Sequence, residues 1–64
     1  MKVGELIKII EEYGWYLCRQ KGSHKQFKHQ VKKGLITISG HKLSDDVSKG
    51  TLNSVLKQAQ IKID

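Results

Sequence analysis

The hydrophobic pattern predicts a small α+β domain in the order α-β-β-β-α. Its three strands form an antiparallel sheet, with both helices on one face. Three observations carry this reading. Residues 2–13 and about 49–60 place apolar side chains at i, i+3, i+4 and i+7, the spacing of a one-faced helix. Between them lie three short segments with strand composition or alternation. Short glycine-containing turns, "KGS" and "KKG", join those segments, which favours a meander.

The first helix buries Val3, Leu6, Ile7 and Ile10 and exposes Glu5, Lys8, Glu11 and Glu12. Glu5 sits near the N-terminus, where the helix dipole favours an anion. No Ser, Thr, Asp or Asn stands at Val3 or Gly4 as a cap, so the start is expected to fray. Gly14 suits the left-handed position just past the helix end. "WYLCRQ" follows as the first strand, with Trp15 and Leu17 on one side and Tyr16 and Cys18 on the other. Cys18 is expected in the core. Trp15 and Tyr16 could stack on bases, but core packing is the expected role of both. "HKQFKHQV" alternates as the second strand. Phe27, His29 and Val31 share the packed side; His24, Gln26, Lys28 and Gln30 share the other. His29 is read as a packed or edge residue. "LITIS" is the third strand, with Ile36 and Ile38 as its core pair. Ser48 is the expected N-cap of the last helix, whose stripe is Leu52, Val55, Leu56 and Ala59. Asp45 and Asp46 read as favourable charge before that helix. A sheet with two one-faced helices packs most economically with both on one side. The other face is left open, carrying His24, Gln26 and Lys28.

The 64 residues are expected to form one domain, 1–64. A chain this short buries only about 60% of its unfolded surface, which argues against a deep enclosed substrate cavity. A shallow surface site, or one completed by a partner, fits better. Twelve Lys+Arg against six Asp+Glu give a formal net charge of +6. Such an excess favours polyanions, and nucleic acid is the commonest. Cys18 is the single cysteine, so an intramolecular disulfide and a cysteine-based zinc site are excluded. A reducing cytoplasm is the expected setting. No apolar run approaches the roughly 20 residues that span a bilayer, and the N-terminus lacks the apolar run of a secretory signal.

The stretch "RQKGSHKQF" carries the chemistry. Gly22 lets backbone approach a phosphate closely, and Ser23 offers a hydroxyl donor. Arg19, Lys21, Lys25 and Lys28 surround the turn with positive charge, which makes a phosphate-binding hairpin. His24 adds a group that exchanges protons near neutrality. RNA supplies its own nucleophile, the 2′-hydroxyl. A base that deprotonates it allows in-line attack on the adjacent phosphate, with lysine or arginine stabilising the transition-state charge. This route needs no metal and no cofactor, and no carboxylate cluster or helically spaced histidine pair is present to hold a metal. A Ser23–His24 hydrolase is disfavoured, because adjacent strand residues point to opposite faces and no orienting acid is nearby. His41, in the loop after the third strand, is a candidate for RNA contact or a second proton transfer. Lys42 and Lys49 read as a basic rim.

"ELIKIIEEYGW", "RQKGSHKQF", "ITISGH" and "KGTLNSVLKQAQI" together resemble the HicA family of toxins, from Glu5 to about Ile61. The resemblance implies a double-stranded-RNA-binding-domain-like fold and endonucleolytic cleavage of mRNA, hence arrested translation and growth. It implies that the family's active histidine falls on His24, with Gly22 and Ser23 as motif neighbours, and that its loop histidine matches His41. Many members carry proline where this chain has Ser39, a departure that bears on the loop holding His41. The implied partner is a HicB-like antitoxin that covers the cationic face. Two other readings stay open on the sequence: a non-catalytic RNA-binding module, and a domain whose charge serves protein contacts alone.

Overall fold

The structure, a computed structural model, describes residues 1–40 and 42–61. The order is α1 (Val3–Glu12), β1 (Tyr16–Lys21), β2 (His24–Lys28), β3 (Ile36–Ser39) and α2 (Lys49–Gln58). The strands pair antiparallel as β1-β2-β3, the meander expected from the short turns. Val3, Leu6 and Ile10 of α1, Phe27 of β2, Ile36 and Ile38 of β3, and Val55 of α2 form one buried cluster. Trp15, Ala59 and Ile61 complete it from just outside these elements. The cluster joins both helices to one face of the sheet. Thr37 and Ser39 alternate with the two buried isoleucines and are exposed on the opposite, open face. Among the described residues no buried side-chain polar atom lacks a partner. None of their helices is long and apolar enough to cross a membrane.

The start of α1 is capped rather than frayed. The Val3 N–H donates to Asp45 O at 2.8 Å, and the Gly4 N–H donates to Leu43 O at 2.9 Å. The Lys2 N–H donates to Glu5 Oε1 at 2.9 Å, half of a capping box. Helix N-termini leave four N–H groups without intrahelical partners, and here loop carbonyls about 40 positions away accept two of them. The same loop explains the acidic pair. Asp45 Oδ2 accepts from the Lys42 N–H at 3.1 Å, and Asp46 pairs with Lys2 Nζ at 2.8 Å. Both carboxylates therefore serve the start of α1 and its loop, not the start of α2. Hydrogen bonding to Asp46 raises the Lys2 ammonium above its ordinary pKa, and the same bond lowers the Asp46 carboxyl.

Both helices end in the same way. Gly14 has φ +95°, its N–H donates to Glu11 O, and the Trp15 N–H donates to Ile10 O. That is a Schellman motif, with the usual apolar contact supplied by Trp15. At α2, Gln60 takes the left-handed position at φ 59°, and the Ile61 N–H donates to Leu56 O. Ser48 caps the start of α2, its Oγ accepting from the Thr51 N–H, as the sequence suggests. Trp15 links the two helix ends: its Nε1–H donates to Ala59 O at 3.3 Å. Lys32 Nζ reaches the same carbonyl at 3.2 Å, placing a cation at the negative end of α2.

Three strand expectations are corrected. β2 ends at Lys28, and Val31 is 84% exposed rather than packed. His29 diverts the chain there. Its Nδ1 accepts from the N–H groups of Val31 and Lys32, both at 3.0 Å. The ring proton is thus on Nε2, which donates to Tyr13 O at 3.0 Å. The ring also lies edge-on to Trp15 with centroids 5.3 Å apart, so His29 is a packed residue as expected. Cys18 is exposed, not core. The β1–β2 register shifts between Leu17 and Arg19, and the extra residue of this bulge is Cys18. Tyr16 lies opposite Lys28 and is 46% exposed, so of the two aromatics only Trp15 enters the core.

Candidate functional site

The open face is built by register. In an antiparallel pair, residues directly opposite share a face. Arg19 pairs with Gln26 and Lys21 with His24 on β1–β2; Gln26 pairs with Thr37 and His24 with Ser39 on β2–β3. Without the bulge, alternation from the core-side pair Leu17–Phe27 would turn Arg19 and Lys21 toward the helices. The bulge at Cys18 turns both onto the open face. The Cys18 thiol is left bonded to Gln26 O at 3.3 Å.

Gly22 and Ser23 are the two-residue loop between β1 and β2. Gly22 has φ +60° while Ser23 does not adopt positive φ, matching the first position of a type II′ hairpin turn. Nothing lies within 4 Å of a Cβ placed on Gly22, so the turn is an open approach to the backbone. Gln20 Nε2 donates to Gly22 O at 3.2 Å, and the Gly40 N–H donates to Ser23 O at 3.1 Å. The turn is held from β1 and from the residue that follows β3.

A shallow depression of about 750 Å³ lies over this face, lined by Arg19, Lys21, Ser23, His24, Gln26 and Thr37, with Gly22 at its end. His24 is exposed there, and its Nδ1 is 3.2 Å from Ser39 Oγ. Among the described residues, His24 Nε2 has no hydrogen-bond partner. Glu5, Glu11 and Glu12 belong to α1, and Asp45 and Asp46 to the loop beside it. No described carboxylate therefore shares the open face, and its field is set by Arg19, Lys21 and Lys28. Among the described residues no three His, Cys, Asp or Glu side chains gather as metal ligands.

The sequence-predicted site residues divide into three groups. Arg19, Lys21, Gly22, Ser23 and His24 come together at the depression. Lys28 shares the open face at the other end of β2, opposite Tyr16. Lys25 pairs with the buried Ile38 and is half-buried on the helix side, away from His24. His41 lies outside the described residues. Sequence reasoning placed Gln26 on this open face, where it lines the depression, but missed Ser39 and Thr37 as partner and lining groups. The β2–β3 pairs are centred between Val31 and Lys32, ahead of the "KKG" turn, so counting back from that glycine would not have placed Ser39, the last residue of β3, across from His24, the first of β2.

A comparison with curated proteins finds no match. The profile of a family described as "HicA toxin of bacterial toxin-antitoxin" matches residues 3–61, nearly the whole chain. The matched region takes in the open face with its "GSH" turn and both helices. The family is one of toxins, each the partner of a cognate antitoxin. With its profile matched from the first residue of α1 to the last core residue, this chain belongs to the HicA toxin family.

Proposed function

We propose that this protein is an endoribonuclease that cleaves mRNA and is held inactive by a HicB-like antitoxin. The observation that carries the reading is an exposed imidazole with one nitrogen held and the other open to a cation-lined depression. His24 Nε2 removes the proton of a ribose 2′-hydroxyl. The 2′-oxygen attacks the adjacent phosphorus, the bond to the 5′-oxygen breaks, and a 2′,3′-cyclic phosphate remains. The leaving oxygen takes a proton and ends as a 5′-hydroxyl; His41, a lysine or water supplies it. Lys21, across the ladder from His24, and Arg19 stabilise the charge that builds on the phosphate oxygens. The Gly22–Ser23 turn offers close backbone approach and a hydroxyl to a neighbouring phosphate. Arg19, Lys21 and Lys28 are also the cations that an acidic antitoxin surface would cover, so one face serves substrate and inhibitor.

The test is incubation of the purified protein with an RNA and with the matching single-stranded DNA, in chelator. The proposal expects cleavage of RNA alone, with cyclic-phosphate and 5′-hydroxyl ends. Intact RNA that nevertheless binds in a salt-sensitive manner would instead identify a non-catalytic RNA-binding module. Cleavage of the DNA as well would rule out attack by the 2′-hydroxyl.

A further inference from the structure

We infer that Ser39 is a positioning residue for His24: its hydroxyl accepts the Nδ1–H of the ring and leaves the Nε2 lone pair aimed into the depression. The inference rests on the proposed role of His24 as the base. A base needs one ring nitrogen unprotonated and directed at its substrate, and the nitrogen is fixed by the bond that the other one makes. In many sites a carboxylate provides that bond. Here the groups sharing the open face with the ring are Arg19 and Lys21 from β1, Gln26 and Lys28 along β2, and the uncharged Thr37 and Ser39 of β3. With no described carboxylate on this face, the partner in contact is Ser39 Oγ, 3.2 Å from Nδ1.

The contact is structurally supported at both ends. His24 and Ser39 are directly paired in the β2–β3 ladder. One residue outward on each strand, the Gly40 N–H donates to Ser23 O at 3.1 Å. Gly40 also lies close to α1, where an added Cβ would meet Val3 Cγ2 at 2.9 Å. Ser39 is thus carried on backbone braced from two sides.

A hydroxyl also suits the reaction in a way a purely donating group does not. When Nε2 takes the 2′-hydroxyl proton, the ring becomes a cation with Nδ1 still protonated. The bond from Nδ1–H to Ser39 Oγ is kept and strengthened by the charge. Nothing in the positioning bond must reorganise during proton transfer.

The experiment uses ¹⁵N-labelled wild type, Ser39→Ala and Ser39→Thr. The His24 tautomer is read from long-range ¹H–¹⁵N correlations without RNA, and cleavage kinetics are measured in parallel. The wild type and Ser39→Thr are expected to hold the Nδ1–H form. Ser39→Ala is expected to show a tautomer mixture, with kcat down about 5-fold, the scale of one lost hydrogen bond, and KM unchanged. An unchanged tautomer and kcat in Ser39→Ala overturn the inference, as does a wild type holding the Nε2–H form. If His24→Ala still cleaves at the native rate, the role of base proposed above for His24 fails, while the tautomer measurement still decides whether Ser39 sets the ring.

Discussion

Arg19→Ala and Lys25→Ala remove the same charge from the same hairpin, yet only the first should weaken RNA binding in a salt-dependent way. Arg19 shares the open face with Lys21 and Lys28, whereas Lys25 pairs with buried Ile38 on the helix side. If each open-face cation neutralises one phosphate, single-stranded RNA should bind with a log–log salt slope of about −2.1, at roughly −0.7 per contact. Raising salt from 50 to 200 mM would then weaken the wild type about 18-fold and Arg19→Ala only about 7-fold. Lys25→Ala should keep the wild-type slope. The assay is fluorescence anisotropy with a 2′-O-methyl oligonucleotide, which lacks the attacking hydroxyl and stays intact. Equal slopes for Arg19→Ala and Lys25→Ala would refute the face assignment, and with it the role given to the bulge at Cys18.

Three further predictions concern the scaffold. Gly14 and Gly34 have similar backbone, φ +95° and +105°, but an added Cβ meets His29 Nε2 at 2.8 Å only at Gly14. Gly34→Ala should cost about 1–2 kcal/mol of backbone strain, and Gly14→Ala about 1 kcal/mol more through the His29–Tyr13 hydrogen bond; equal losses in urea titrations would contradict this. Gln60→Gly should raise Tm, since relief at φ 59° outweighs the entropy of glycine by about 0.5–1 kcal/mol; a lower Tm would count against the second Schellman motif. For the exposed pair, Lys2 holds the Asp46 carboxyl below its ordinary 3.8. Its contribution is therefore present above that pH and lost as pH falls through the folded value. Wild type and Asp46→Asn should differ slightly in stability at neutral pH and low salt, then converge in acid; a gap that widens in acid would reverse the sign.

Much of this arrangement was legible in the residues because the signals were local. Val3, Leu6 and Ile10 lie one helical turn apart, Gly14 marks a helix end by its φ, and Ser48 sits where its own side chain caps α2. Ile36 and Ile38 alternate with Thr37 and Ser39 as the pleat requires. The misses were non-local or lacked a marker. The cap of α1 comes from carbonyls of Leu43 and Asp45, which no nearby residue announces. The bulge at Cys18 carries no glycine, so alternation alone could not say which way Arg19 and Lys21 face. Val31 continued the β2 alternation on paper, but the His29 ring captures its N–H and bends the chain away. At the site, the glycine turn and His24 were readable as a motif. Ser39 was not, because its meeting with His24 depends on strand register rather than on any spacing along the chain.

The claim that most depends on one group is that His24 starts the reaction. Single-turnover cleavage of RNA by wild type and His24→Ala, with binding to the 2′-O-methyl analogue measured alongside, addresses it directly. The account predicts a rate lower by about 10²- to 10⁴-fold with affinity nearly kept, the range for losing a general base. A variant that binds equally well and cuts RNA at the wild-type rate would contradict it.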